Sequence, residues 1–187
     1  MFRRALTALL ATSAVTAALV AGTAPQAAAS GDDVHAAVVT ITYSDARAGE
    51  FAGAVAQGIA IWNASVTNVR IVRAAAGQRA DVQVIADNGW PRATLGPVRP
   101  GGSGTVWFGR EAVNDGYNTV RIASHEFGHI LGLPDAKPGP CSSLMSGSSA
   151  GVACTNPNPN STERSRVQSL YTSRTAASAD AGKVLVG

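Results

Sequence analysis

His125-Glu126-Phe127-Gly128-His129 sets two imidazoles four residues apart with a carboxylate beside the first. On a helix, residues i and i+4 share a face, so both rings can meet one zinc ion at about 2.0–2.1 Å. Glu126, one residue along, can take a proton from a metal-activated water without being a ligand. Alone, the pentapeptide also fits a helix with two chance histidines. The continuation narrows that choice, because Gly132 and Asp135 follow in register to give His-Glu-x-x-His-x-x-Gly-x-x-Asp. A third ligand six residues past His129 reaches the metal only if the helix stops and the chain turns sharply. Glycine at 132 supplies the left-handed conformation that such a turn needs. The other acceptors are less suited: His35 lies near the start of the mature chain, Asp180 in the tail, and Glu163 is accounted for by a helix cap. Asp135 is therefore the expected third ligand.

These residues need a helix, and the pattern provides one from about Asn118 or Thr119 through Leu131, stopped by Gly132 and Pro134. Before it, Ala37–Tyr43 is β-branched with a period of two and reads as a strand. Ala48 to about Val66 carries Phe51, Val55, Ile59 and Trp62 on one face, the mark of a helix packed on a sheet. Alternation returns at Asn68–Arg73, Asp81–Ala86 and Thr105–Phe108, which read as three more strands. The Gly- and Pro-crowded stretch from Asn88 to Gly104 reads as a loop, and 134–160 as coil. Asn160 followed by Glu163 resembles a capping box opening a last helix through Val167, Leu170 and Tyr171. The expected class is α+β.

The first residues, Met1-Phe2-Arg3-Arg4, precede an uncharged run to Ala21 and an Ala27-Ala28-Ala29 end, the pattern of an export leader. Three regions are thus expected: a leader over 1–29, a single catalytic domain over 30–174, and a flexible tail over 175–187. Only about eight residues separate the cleavage point from the first strand, too few for an inhibitory prodomain. Two arginines leave with the leader, so the formal charge of +3 drops to about +1 and gives no reason to expect a nucleic-acid partner. No membrane association is expected after leader removal, and a monomer is expected. Cys141 and Cys154, an even pair in an exported chain, read as a disulfide closing a short loop.

The segment His125–Asp135 resembles the zinc motif of the snapalysin family, small neutral metalloproteases secreted by streptomycetes. Gly139-Pro140-Cys141-Ser142-Ser143-Leu144-Met145-Ser146-Gly147 is similar to that family's Met-turn, and Cys154–Pro157 with Glu163–Val167 to its C-terminal region. The resemblance implies a metzincin-like fold: a twisted mixed sheet with an antiparallel edge strand, an active-site helix, a Met-turn and a C-terminal helix. It also implies that Met145 floors the site, and that Asp135 stands where most metzincins have a third histidine. Two departures are visible. Ala136-Lys137 follows the ligand aspartate where relatives often carry an aromatic, and Val120 offers no side-chain oxygen near a position where relatives bind calcium, so calcium is not claimed.

The expected function is zinc-dependent hydrolysis of internal peptide bonds in extracellular proteins or peptides, with one catalytic ion. The substrate would lie extended on an edge strand assigned to Thr105–Phe108, although an ordinary buried strand there fits equally. Two other readings use the same residues: a secreted binding protein with a structural zinc site, and a zinc amidase acting on cell-wall peptide.

Overall fold

Alternating β-branched residues form the first strand, β1 (Val39–Arg47), with Ile41 and Tyr43 facing inward and Thr40 facing solvent. The computed structural model describes residues 38–172 and 182–187; the leader expected over 1–29 and His35 lie outside them. A short 3-10 turn (Gly49–Phe51) leads into α1 (Ala52–Ser65), which buries Val55, Ile59 and Trp62. Strands β2 (Val69–Arg73) and β3 (Val82–Asp87) follow at the expected places. Then come β4 (Arg92–Thr94) and β5 (Gly104–Gly109), the single-turn helix α2 (Arg110–Asn114) and the long central helix α3 (Thr119–Ile130). A 3-10 stretch (Leu144–Ala150), α4 (Ser161–Thr172) and β6 (Val184–Val186) complete the described residues.

The six strands make one sheet in the order β2-β1-β3-β5-β4-β6. β2, β1, β3 and β5 pair in parallel, whereas β4 runs antiparallel to β5 and β6 antiparallel to β4. The mixed sheet with an antiparallel edge region is as the sequence implied, but three assignments differ. Asn88–Gly104 is not all loop, because Arg92–Thr94 returns along β5 and pairs with Trp107 and Val106. That pairing puts Thr105–Phe108 between β3 and β4, so it is an interior strand and offers no free edge to a substrate. The segment read as a loose tail ends in a strand, Val184–Val186, hydrogen-bonded along β4.

The core explains why α3 lies where it does. Residues 121 to 130 are buried without a break, so α3 runs through the interior with no solvent face over its last two turns. Trp62 of α1 donates its indole N–H to the Ser124 carbonyl at 2.7 Å, and Tyr43 meets Phe127 edge-on. Gly58 allows this approach, since a Cβ there would stand 2.8 Å from the Ser124 nitrogen. The helix is thereby held against α1 on one side and the Met145 loop on the other.

Candidate metal centre

Helix α3 starts at a cap and ends at a glycine, which together place its ligands. The Asn118 side chain accepts from the Arg121 N–H at 2.9 Å, satisfying an otherwise orphan first-turn donor. At the other end Gly132 adopts φ +98°, and the Leu133 N–H donates back to the Gly128 carbonyl at 2.9 Å. This is a helix stop of the kind that only glycine makes without strain. The reversal brings Asp135 back under the helix end, where its side chain retains 25% exposure.

His125 and His129 face one point. His125 Nδ1 lies 3.0 Å from the Leu144 carbonyl, and His129 Nδ1 lies 2.7 Å from the Leu133 carbonyl. A carbonyl oxygen can only accept, so each Nδ1 carries the proton and each Nε2 is left with a lone pair. Asp135 Oδ1 stands 3.4 Å from the His125 Nε2 and 3.6 Å from the His129 Nε2. Two donors about 2.0–2.1 Å from a tetrahedral ion are about 3.4 Å apart, so the spacing suits zinc. All three ligand atoms lie within 4.8 Å of one another.

Among the described residues, buried side-chain polar atoms without a hydrogen bond concentrate here: both Nε2 atoms, Asp135 Oδ1 and both Glu126 oxygens, with Ser124 Oγ the other case. Orphaned buried polar atoms are costly, and their convergence on one point fits a cation that completes them. Electrostatics agree. Burial, reinforced by repulsion from His125, pushes the His129 pKa down to about 4, leaving a neutral ring able to ligate. Burial pushes the Asp135 carboxyl up, but the His125 and His129 rings and Lys137 outweigh it and hold the group below the usual carboxylate range. Glu126 is the opposite case: full burial, then the Asp135 charge, drive its pKa well above the ordinary value.

The floor of the site is Met145, 1% exposed and packed so tightly under Gly128 that a Cβ at 128 would meet its sulfur. Its carbonyl accepts from the Ala136 N–H at 2.8 Å, which ties the loop carrying Asp135 to the same floor. Cys141 and Cys154 are joined as a disulfide with Cα atoms 5.5 Å apart, closing the segment that contains Met145.

Three residues serve the site in ways the sequence does not show. Arg121, one turn before His125 and 5% exposed, donates to the carbonyls of Asn156 and Ser143 and to Ser146 Oγ, fastening the Met145 loop to α3. Its i, i+4 relation to His125 was the available signal. Glu163 does cap α4, exchanging hydrogen bonds with Asn160, but it also accepts from Ser143 Oγ at 2.8 Å and from the Met145 N–H at 2.9 Å. Lys137 places its ammonium 3.5 Å from Asp135 Oδ2. Beside His125 and Glu126 opens a small apolar pocket, walled by Trp90, Ala112, Tyr117, Ile122 and Gly147.

Comparison with known proteins shows what the chain is similar to. The family model of the Streptomyces extracellular neutral proteinase (M7) family matches residues 38–174. An extracellular small neutral protease of Streptomyces lividans is 43% identical over 136 residues, which is 73% of this chain and 58% of that protein. The corresponding protease of Streptomyces coelicolor is 41% identical over 144 residues, 77% of this chain and 65% of that protein. That of Streptomyces caespitosus is 41% identical over 133 residues, 71% of this chain and 97% of that protein. The chain thus spans about three fifths of the length of the first of these relatives. Among solved structures, high choriolytic enzyme 1, a hatching enzyme zinc-protease of the medaka Oryzias latipes, aligns with a TM-score of 0.49 and 19% identity, covering 73% of this chain and 91% of that one. Since the family model takes in β1 through α4 and every residue of the centre, the chain belongs to the Streptomyces extracellular neutral proteinase (M7) family.

Proposed function

We propose that this chain is a secreted zinc endopeptidase that hydrolyses internal peptide bonds of extracellular proteins. The observation carrying the proposal is the convergence of His125 Nε2, His129 Nε2 and Asp135 Oδ1, all unpaired, on one point beside the unpaired carboxylate of Glu126. A zinc ion held by these three would supply Lewis acidity, acidifying a water and polarising the scissile carbonyl. Glu126 makes no contribution to holding metal, so its presence in the wall of the centre supports catalysis over a purely structural site. Its place beside the ligand point suits a group that takes a proton from the attacking water and returns it to the leaving amine, and burial raises its proton affinity.

The remaining residues bind and orient. The Leu144 and Leu133 carbonyls fix both imidazole tautomers before any substrate arrives. The outer side of β4, paired with β6 in this structure, would give an extended peptide a ladder of backbone partners in place of that strand. The pocket walled by Trp90, Tyr117 and Ile122 offers an apolar surface beside Glu126, next to the bond to be cleaved.

Hydrolysis of casein and of an unbiased peptide library, paired with metal analysis, tests the reading. The zinc-loaded protein should cleave, a chelator should abolish cleavage, and Glu126→Ala should retain zinc yet lose at least about 10²–10⁴ in kcat. Absence of cleavage by the zinc-loaded protein, or an active Glu126→Ala variant, overturns it.

A further inference from the structure

Strand β6 lies where a protease would want its substrate. We propose that residues Lys183–Gly187 are an intramolecular ligand of the substrate cleft, seated like the N-terminal half of an extended substrate and covering Glu126 until they leave. The proposal rests on the protease reading for its consequence, but not for the seat itself.

The seat is built from backbone recognition. Val184, Leu185 and Val186 pair antiparallel with Thr94, Ala93 and Arg92. The ladder extends at both ends: the Gly182 N–H donates to the Leu95 carbonyl and the Gly187 N–H to the Pro91 carbonyl, each at 2.8 Å. Two side chains then take the tail's carbonyls. The Trp90 indole N–H donates to the Gly187 oxygen, and Lys137 Nζ donates to the Val186 oxygen at 2.9 Å. None of these donors reads a side chain, so the same groups can serve any extended peptide that replaces the tail. Lys137, which stands where relatives often carry an aromatic, thus acquires a role as a substrate-positioning residue.

The far end of the segment carries the functional point. By strand alternation Leu185 and Gly187 share the inward face of Ala93, and Gly187 lies directly against the Glu126 carboxylate and beside the His125 ring. A Cβ on residue 187 would overlap Glu126 Oε1. Glu126 is fully buried with neither oxygen hydrogen-bonded, and Gly187 fills space against its Oε1 that a scissile bond would need.

The segment is not held as core. Val184 and Val186 are 47% and 50% exposed, so their burial adds little to holding the segment. It also lies beyond the residues 38–174 matched by the family model. Tethered to the same chain, such a segment acts at an effective concentration on the order of millimolar. With an untethered Kd of about 0.1 mM it would occupy the cleft about nine-tenths of the time and raise KM about tenfold without changing kcat.

The test compares the full chain, a chain shortened after Gly182, and full-length Gly187→Ala, in which the added methyl displaces the tail and leaves the catalytic groups intact. Both altered forms should show a KM about tenfold lower at equal kcat, and the free peptide Lys-Val-Leu-Val-Gly should inhibit the shortened chain competitively. A second measurement needs no activity: titrating this peptide into the metal-free shortened chain should move the Trp90 indole and Leu95 amide resonances in nitrogen–proton NMR spectra, saturably. Equal KM values in the full chain and Gly187→Ala, or resonances that do not respond, overturn the proposal. If no form hydrolyses any peptide, the protease reading fails while the NMR titration still decides whether the cleft binds this segment.

Discussion

At the residue scale, the atoms converging at the candidate centre find no hydrogen-bond partner in the protein, as a cation site requires. Each imidazole spends its Nδ1 proton on a carbonyl, so the only free lone pairs are those aimed at the ligand point. The grouping of His125, His129 and Asp135 was legible in the sequence because all three fall within eleven residues, where helix periodicity and one glycine stop fix their geometry. Arg121 and Lys137 were not legible in this way, since the position of a long charged head depends on contacts made by distant segments. Gly128 sits at an unspecified position of the motif, yet it sets how closely the helix approaches its floor. A methyl there would stand 2.5 Å from Met145 Sδ. Gly128→Ala should therefore overpack the site and cost about 1–3 kcal/mol, measured by denaturant unfolding. Met145→Ala in the same background should recover part of that loss, and a stable Gly128→Ala single variant would show the floor to be softer than its burial suggests.

At the scale of elements, the parts found from sequence are those with enough length to show a period. β1, α1, β2, β3, β5, α3 and α4 each repeat their pattern at least twice, whereas β4 and β6 have three residues apiece and α2 is a single turn. Such short pieces owe their existence to pairing, not propensity: Arg92–Thr94 is a strand because β5 presents an open edge to it. The capping box at Asn160 was visible for the same local reason that the zinc motif was, but its second task was hidden. Glu163 joins the start of α4 to the Met145 loop by accepting from Ser143, Leu144, Met145 and Asn160. Hydrogen bonds to a charged acceptor each contribute about 1.5–3 kcal/mol, and a buried carboxylate with four donors loses several when neutralised. Glu163→Gln preserves shape but turns one acceptor into a donor facing N–H groups. Its unfolding free energy should drop by at least about 2 kcal/mol, with faster hydrogen exchange at Met145 as the local signature. Exchange unchanged at Met145 would confine Glu163 to the helix cap.

Across the whole molecule, a centre buried for chemistry sets two titrations against each other. The unfolded chain protonates histidine at about 6.5, whereas His129 in the metal-free fold does so only near 4. Between those values the unfolded state holds the extra proton, so this residue stabilises the fold above about pH 6.5 and that contribution is lost as pH falls toward 4. Glu126 has the reverse sign. Its folded pKa lies well above the unfolded value of about 4.3, so the fold keeps a proton that the unfolded chain releases, and stability falls as pH rises above about 4.3. The two offset one another in mildly acid solution and separate in variants. Metal-free Glu126→Gln should melt higher than the metal-free parent at pH 7, match it near pH 4, and show the steeper acid loss that His129 imposes once unopposed. Zinc adds a term that also disappears on acidification, because binding needs the neutral ring and stabilises the fold only while the ion stays bound. Thermal unfolding from pH 4 to 8, with and without chelator, reads all of these slopes. A Glu126→Gln chain no more stable than its parent at pH 7 would mean that the carboxylate ionises freely, and that its burial under Gly187 does not persist in solution.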